Sequence, residues 1–192
     1  MSSVGDITET WHGLGTYQPG PGYDEMVDRK TGLRPHWEQL LDDFTAMGPG
    51  LRSEARGTAE RLLREHDVTF SKWTDDAQMP WRLDVLPMVV GEQEWRSLAR
   101  ALEQRARLAN ALVADLYGDQ NVLRSGALPL AVVFGNPEFQ VPCNGYEAPG
   151  GIFLQLMAFD LGRSPDGKWW VLGQLTDTPS GVGYALENRI VT

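Results

Sequence analysis

The sequence predicts a mixed α/β fold, in which a helical and mixed amino-terminal region precedes the first strands of an α/β domain. Three observations carry this expectation. Trp95, Leu98, Ala99, Leu102, Ala106, Ala109, Leu112, Val113 and Leu116 recur every three or four residues, the rhythm of one buried helical face. Two strand-like runs, residues 152–160 and 168–176, flank Ser164-Pro165-Asp166-Gly167. Pro-Asp-Gly is turn chemistry, so a β-hairpin is expected there. With 192 residues, 42% of them hydrophobic, the chain can bury a sizeable core as one large domain or one and a half.

Each element has its own local reason. Residues 1–22 read as an extended arm, because Gly13, Gly15, Pro19, Gly20, Pro21 and Gly22 interrupt it too often for a helix. A first helix is expected from Pro35, with Trp37, Leu40, Leu41 and Phe44 at helical spacing and Gly48-Pro49-Gly50 ending it. A second is expected from about Ser53 as N-cap, with the stripe Ala55, Ala59, Leu62, Leu63 and His66. Val68-Thr69-Phe70 reads as a strand. Residues 81–90 also look strand-like, with Pro87 imposing a bend or an edge.

The periodic helix should span roughly residues 92–117, pair Glu103 with Arg107 one turn apart, and end at Gly118. Arg96, Arg100 and Arg107 fall on its outer side. Beyond Leu128, Ala131-Val132-Val133-Phe134 reads as a short buried strand ended by Gly135-Asn136-Pro137, residues 146–151 as a loop, and Ile190-Val191-Thr192 as the beginning of a strand. The expected organisation is an arm at 1–22, a helical and mixed region at 23–126, and the start of a further domain at 127–192.

Composition excludes several classes. A net charge of -9 disfavours a general nucleic-acid binder, although a local basic pocket for ATP is compatible with it. The single cysteine, Cys143, has no intrachain disulfide partner and is expected to be a small packed residue. His12, His36 and His66 share no ligand spacing. His66, at the end of its stripe, is expected to be packed or near a cap rather than a base. No apolar run approaches the roughly 20 residues of a membrane span. The polar, acidic first residues are wrong for a signal peptide, so a reducing cytoplasm is the expected compartment. A hydrolase has no Gly-x-Ser-x-Gly elbow to support it.

Two places carry candidate chemistry. Asp160 closes the otherwise apolar run from Leu154 to Phe159. An unpaired buried charge is expensive, so this carboxylate either reaches water on an edge strand or holds a partner such as Mg²⁺. Ser180, Gly181 and Gly183 make a flexible turn whose backbone amides could approach a phosphate, or simply a turn. No Gly-Lys-Ser/Thr follows, so it is not a P-loop. Glu187-Asn188-Arg189 then offers a metal-binding oxygen, an amide and a fixed cation, or else marks a helix start or a solvated strand end.

The order of several motifs resembles one family. They are Tyr23-Asp24-Glu25-Met26, Arg34-Pro35-His36-Trp37, Pro80-Trp81-Arg82-Leu83-Asp84-Val85-Leu86-Pro87, Gln104-Arg105-Ala106-Arg107-Leu108, Leu116-Tyr117-Gly118, Val133-Phe134-Gly135-Asn136-Pro137 and, most specific, Pro179-Ser180-Gly181-Val182-Gly183-Tyr184-Ala185-Leu186-Glu187-Asn188-Arg189. From Tyr23 onward the chain is similar to the circularly permuted type 2 ATP-grasp family, related to glutathionylspermidine synthetase.

The resemblance implies ATP held between two α/β lobes, with Mg²⁺ bridging its phosphates. A substrate carboxylate is phosphorylated and the acyl phosphate is attacked by an amine. It implies that Asp160 is the hairpin aspartate holding Mg²⁺, that Asp177-Thr178-Pro179 is the loop after the metal strand, and that Glu187 is a further metal group. Ser180, Gly181, Gly183 and Asn188 would lie near the nucleotide, and Arg189 would stabilise the transferred phosphoryl group. Asp160 and the Glu-Asn-Arg triplet are expected to form one wall of a magnesium–triphosphate cleft.

Departures from the family also matter. The relatives carry Glu and Asn where this chain has Gly173 and Leu175, and the family commonly has Asp-Arg in place of Gln174-Leu175. Lys30, Lys72 and Lys168 lie in no phosphate-gripping context, so the nucleotide-binding lobe is expected to follow Thr192. The expected function is a portion of an ATP-dependent carboxylate–amine ligase, inactive until the remainder of the ATP-grasp domain is supplied, with carboxylate and amine substrates, peptides among them. The alternative is a non-catalytic scaffold or a module that binds a peptide or a partner.

Overall fold

The structure, a computed structural model, describes residues 17–72, 75–84 and 86–192. Most of the expected arm, His12 and Val85 lie outside the described residues. The chain divides into two units, one of Met1–Glu92, Gly162–Trp170 and Ser180–Thr192, the other of Gln93–Leu161 and Val171–Pro179. The described elements are helices and three small two-stranded sheets, the mixed α/β class that was expected.

The first unit opens with a short antiparallel pair, β1 (Val27–Asp28) and β2 (Gly32–Leu33). Local carboxylates shape it: Asp24 accepts the amides of Met26 and Val27, and Asp28 those of Lys30 and Thr31. Helix α1 (Pro35–Ala46) follows, and it buries Trp37 and Leu41 against Met26 and Val27, with Leu33, Leu40, Leu86 and Val89 packed around them. That small apolar cluster is the core of the unit.

Helix α2 spans Gly48–Glu65, five residues earlier than the Ser53 cap suggested. Gly48 takes a left-handed φ of 69°, which reverses the chain after Met47. Pro49 then sits in the first turn, where its missing N–H costs nothing. Gly48-Pro49-Gly50 therefore starts a helix as well as ending one. Of the proposed stripe, Ala59 and Leu63 are buried, whereas Ala55 and His66 are exposed.

Strands β3 (Thr69–Lys72) and β4 (Asp75–Pro80) pair antiparallel, Thr69 opposite Pro80 and Phe70 opposite Met79. Among the described residues of 81–90 there is no strand. The pairing beyond Pro80 yields one further bond, from the Trp81 amide to the Val68 carbonyl, and the Leu86 amide turns instead to the Asp84 side chain.

A hairpin of β5 (Ala158–Arg163) and β6 (Trp169–Leu175) gives its tip to the first unit. The turn is the expected one. Gly167 has φ 84° and donates to the Ser164 carbonyl, and the Tyr23 ring leaves no room there for a Cβ. Arg163, largely buried, pairs with Glu25 at 2.6 Å and lies over the rings of Tyr23 and Trp169 at 4.4 and 3.9 Å. The Ser164 hydroxyl and the Lys168 ammonium hold the Asp166 carboxyl down to about 2. The last element, α6 (Val182–Val191), is a helix where Ile190-Val191-Thr192 had suggested a strand. Three β-branched residues are too few to override a helix already started at Gly181.

The second unit is built on α3 (Glu92–Tyr117), which has the expected bounds, Glu103–Arg107 pair and Gly118 stop. Its expected face is only partly covered: Leu98 is buried, but Trp95 and Leu112 are exposed. Asp115 accepts the amides of Asn121 and Val122 and so joins α3 to the short α4 (Asn121–Arg124). The Val122 amide, more than any other partner, holds the Asp115 carboxyl below the ordinary carboxylate value.

Residues 130–134, expected as a strand, form the one-turn helix α5 (Leu130–Phe134). A short apolar run reads alike as strand or buried helix by pattern alone, and the extended Pro129 before it sets a helix start. Cys143 is exposed rather than packed. Strand β5 begins at Ala158, later than expected. Asn110 on α3 donates to the Gly151 carbonyl and accepts the amides of Phe153 and Leu154, so a side chain satisfies groups that a strand would have paired.

Candidate functional site

Tyr184, Glu187 and Asn188 stand at i, i+3 and i+4 on α6, and so share one face of that helix. The geometry of the first unit brings all three against residues far away in sequence. The Tyr184 hydroxyl donates to the Thr69 carbonyl at 2.7 Å, and its ring stacks on Trp81 with centroids 4.5 Å apart. The Glu187 carboxylate meets His66 Nδ1 at 2.7 Å, just past the end of α2. Asn188 Oδ1 accepts the indole N–H of Trp81 at 2.8 Å, and Phe70 presents its ring edge-on to the same indole.

The arrangement gives Glu187 and Asn188 protein partners. The Glu187–His66 pair is partly open, with side chains 26% and 37% exposed, so water screens it and its energy is modest. Arg189 and Ser180 are exposed. Gly181 occupies the N-cap of α6 at φ 101°, and the Ala185 amide makes the first intrahelical bond back to its carbonyl. Gly183 belongs to the first turn of α6 and not to the preceding loop. The amides ahead of Ala185 point out of the helix start, an arrangement favourable to an anion.

Asp160 belongs to the other unit. It is exposed on β5, beside Gly173 of β6. A Cβ added to Gly173 would stand 2.9 Å from Asp160 Oδ2, so the bare glycine makes room for the carboxylate. Among the described residues, no three His, Cys, Asp or Glu side chains gather as a metal group. Asp177, after β6, is exposed.

The sequence did not point to His66, Trp81 or Tyr184 as neighbours of the Glu-Asn pair. One signal was present: Tyr184 lies three residues before Glu187, on the same helical face. His66 and Trp81 carry no such local mark.

Comparisons with known proteins locate the chain. The family described as circularly permuted ATP-grasp type 2 matches residues 87–192. An uncharacterized protein of Synechocystis sp. is 36% identical over 180 residues, covering 93% of this chain and 37% of that protein. An uncharacterized protein of Mycobacterium tuberculosis is 37% identical over 183 residues, covering 90% and 21%. A Frankia casuarinae protein named putative glutamate–cysteine ligase 2-2 is 33% identical over 178 residues, covering 92% and 20%. The chain thus spans between a fifth and two fifths of the length of these relatives. No described helix is long and apolar enough to cross a membrane.

Proposed function

Since this chain belongs to the circularly permuted ATP-grasp type 2 family, we propose that it forms the amino-terminal portion, with the metal hairpin, of an ATP-dependent carboxylate–amine ligase. Residues 127–192 begin the ATP-grasp domain in this reading, and the remainder comes from sequence beyond this chain. The observation that carries it is at Gly173: the exposed Asp160 carboxylate lies beside this glycine, where an added Cβ would stand 2.9 Å from Oδ2. Mg²⁺ takes one or two protein carboxylates and leaves its other positions to phosphates and water, so a single open aspartate fits that ion.

When bound, Mg·ATP would supply the phosphoryl group and neutralise its charge. Asp160 would hold the ion, and Glu187 would hold a second metal position after exchanging its His66 partner. Ser180, Gly181 and Gly183 would bring the amides at the start of α6 toward phosphate. Asn188 would position the nucleotide through its amide, and Arg189, exposed on α6, would stabilise the transferred phosphoryl group. The ligase name of the Frankia relative supports amide-bond formation as the reaction class.

The test is Mg²⁺-dependent ATP binding, followed by calorimetry with the chain and with the longest protein that contains it. Asp160→Asn combined with Glu187→Gln should weaken binding strongly, and Gly173→Ala should weaken it by crowding Asp160. Equal binding after the double change removes the metal assignment. A second reading, a non-catalytic scaffold, is favoured by one observation: Glu187 and Asn188 already have His66 and Trp81 as partners. A binding-competent chain would exclude it.

A further inference from the structure

In the first unit, Arg56, Glu60 and Arg64 recur at intervals of four along α2 and so form one stripe on that helix. The stripe, together with Trp81, Arg82 and Asp84 after β4, lines a cavity of about 680 Å³. This size suits a small-molecule ligand. Trp81 is a rigid wall, because Asn188, Tyr184 and Phe70 fix its indole from three directions.

The charge lining this cavity is opposite in sign to that of the whole protein. The protein carries a net charge of -9, yet three guanidinium groups meet here against two carboxylates. Among the described residues, no ion pair joins Arg56, Arg64 or Arg82 to a carboxylate. Glu60 lies between two of the arginines and pairs with neither through its side chain. Instead Arg64 Nε donates to the Glu60 backbone carbonyl at 3.2 Å. Asp84 spends one oxygen on the Leu86 amide. Guanidinium is a planar fork of donors whose best partner is a carboxylate or phosphate, held by two parallel bonds.

We propose that this cavity binds a small molecule through an oxyanion, a carboxylate or a phosphate, gripped by Arg56, Arg64 and Arg82. The site is built on α2 and the segment after β4, and its test follows arginine and indole signals rather than Mg²⁺-dependent ATP binding, so the two readings can fail separately.

The experiment is a nuclear magnetic resonance titration of the 192-residue chain with inorganic phosphate and, separately, with glutarate, at low ionic strength to limit screening. The arginine Nε–Hε and Trp81 indole signals are followed. Saturable shifts at Arg56, Arg64 and Arg82 are expected with at least one anion, and the anion that saturates identifies the source of the oxyanion. Arg56→Gln with Arg82→Gln should weaken binding about tenfold or more, whereas Arg107→Gln on the exposed side of α3 should leave it unchanged. Circular dichroism checks that the variants remain folded, as these exposed side chains allow. Failure of both anions to saturate overturns the proposal. So does a double variant that binds like the parent, or an equal loss in Arg107→Gln, which would mark general charge attraction.

Discussion

Replacing Trp81 with Phe tests how α6 is held in the first unit. The change retains an aromatic ring against Tyr184 and Phe70 but removes the indole N–H that Asn188 Oδ1 accepts at 2.8 Å. A neutral hydrogen bond contributes about 1 kcal/mol net, and a buried acceptor left without a donor costs about 1–3 kcal/mol. Asn188 is only half-buried, so water can reach it and the cost falls toward the lower end. The expected loss is therefore about 1–2 kcal/mol.

Urea unfolding followed by far-ultraviolet circular dichroism reads this directly. With a slope of about 2 kcal/mol per molar urea, the midpoint should fall by roughly 0.5–1 M. Asn188→Ala should cost a similar amount, and the double variant should cost less than the sum of the two, because the same bond is lost in each. An unchanged midpoint in Trp81→Phe, or strictly additive losses in the double variant, would refute the pairing of Trp81 with Asn188.

Two further outcomes follow from local geometry. Gly181→Ala places an L side chain at φ 101°, in the left-handed region, and should lower stability by about 1–2 kcal/mol in the same urea assay; no loss would mean the N-cap of α6 adopts another conformation. The Asp166 carboxyl, held down to about 2 first by the Ser164 hydroxyl and then by Lys168, lies below the ordinary 3.8. Its folded value is depressed, so its contribution is present above about pH 4 and is lost as the pH falls toward 2. Asp166→Ala should flatten the stability-versus-pH curve across that window, and an unaltered curve would show that the turn does not depend on this carboxylate.

Local rules account for much of the fold. Helix α3 was legible because its apolar residues keep a period of three and four over many turns, and Gly118 follows its last residue. The hairpin turn was legible because Pro165, Asp166 and Gly167 each meet a distinct conformational demand of a tight turn. Both depend on interactions among residues close in sequence. Where the reading missed, the local signal was short or ambiguous. Residues 130–134 and 190–192 are brief apolar runs that strand and helix accept equally. Residues 152–157 lost their strand to a side chain, Asn110, some 40 positions earlier.

The candidate site divides along the same line. By itself the sequence determined that a carboxylate, an amide and a cation stand in a row at Glu187, Asn188 and Arg189, and that Asp160 closes an apolar run before a turn. Only the tertiary structure decided that Glu187 meets His66 and Asn188 meets Trp81, across separations of 121 and 107 residues. Such pairings follow from which faces the core of the unit brings together, and side chains that far apart leave no periodic trace in one another's neighbourhood. The space that Gly173 leaves beside Asp160 is likewise a cross-strand property, set by hairpin pairing rather than by either residue alone.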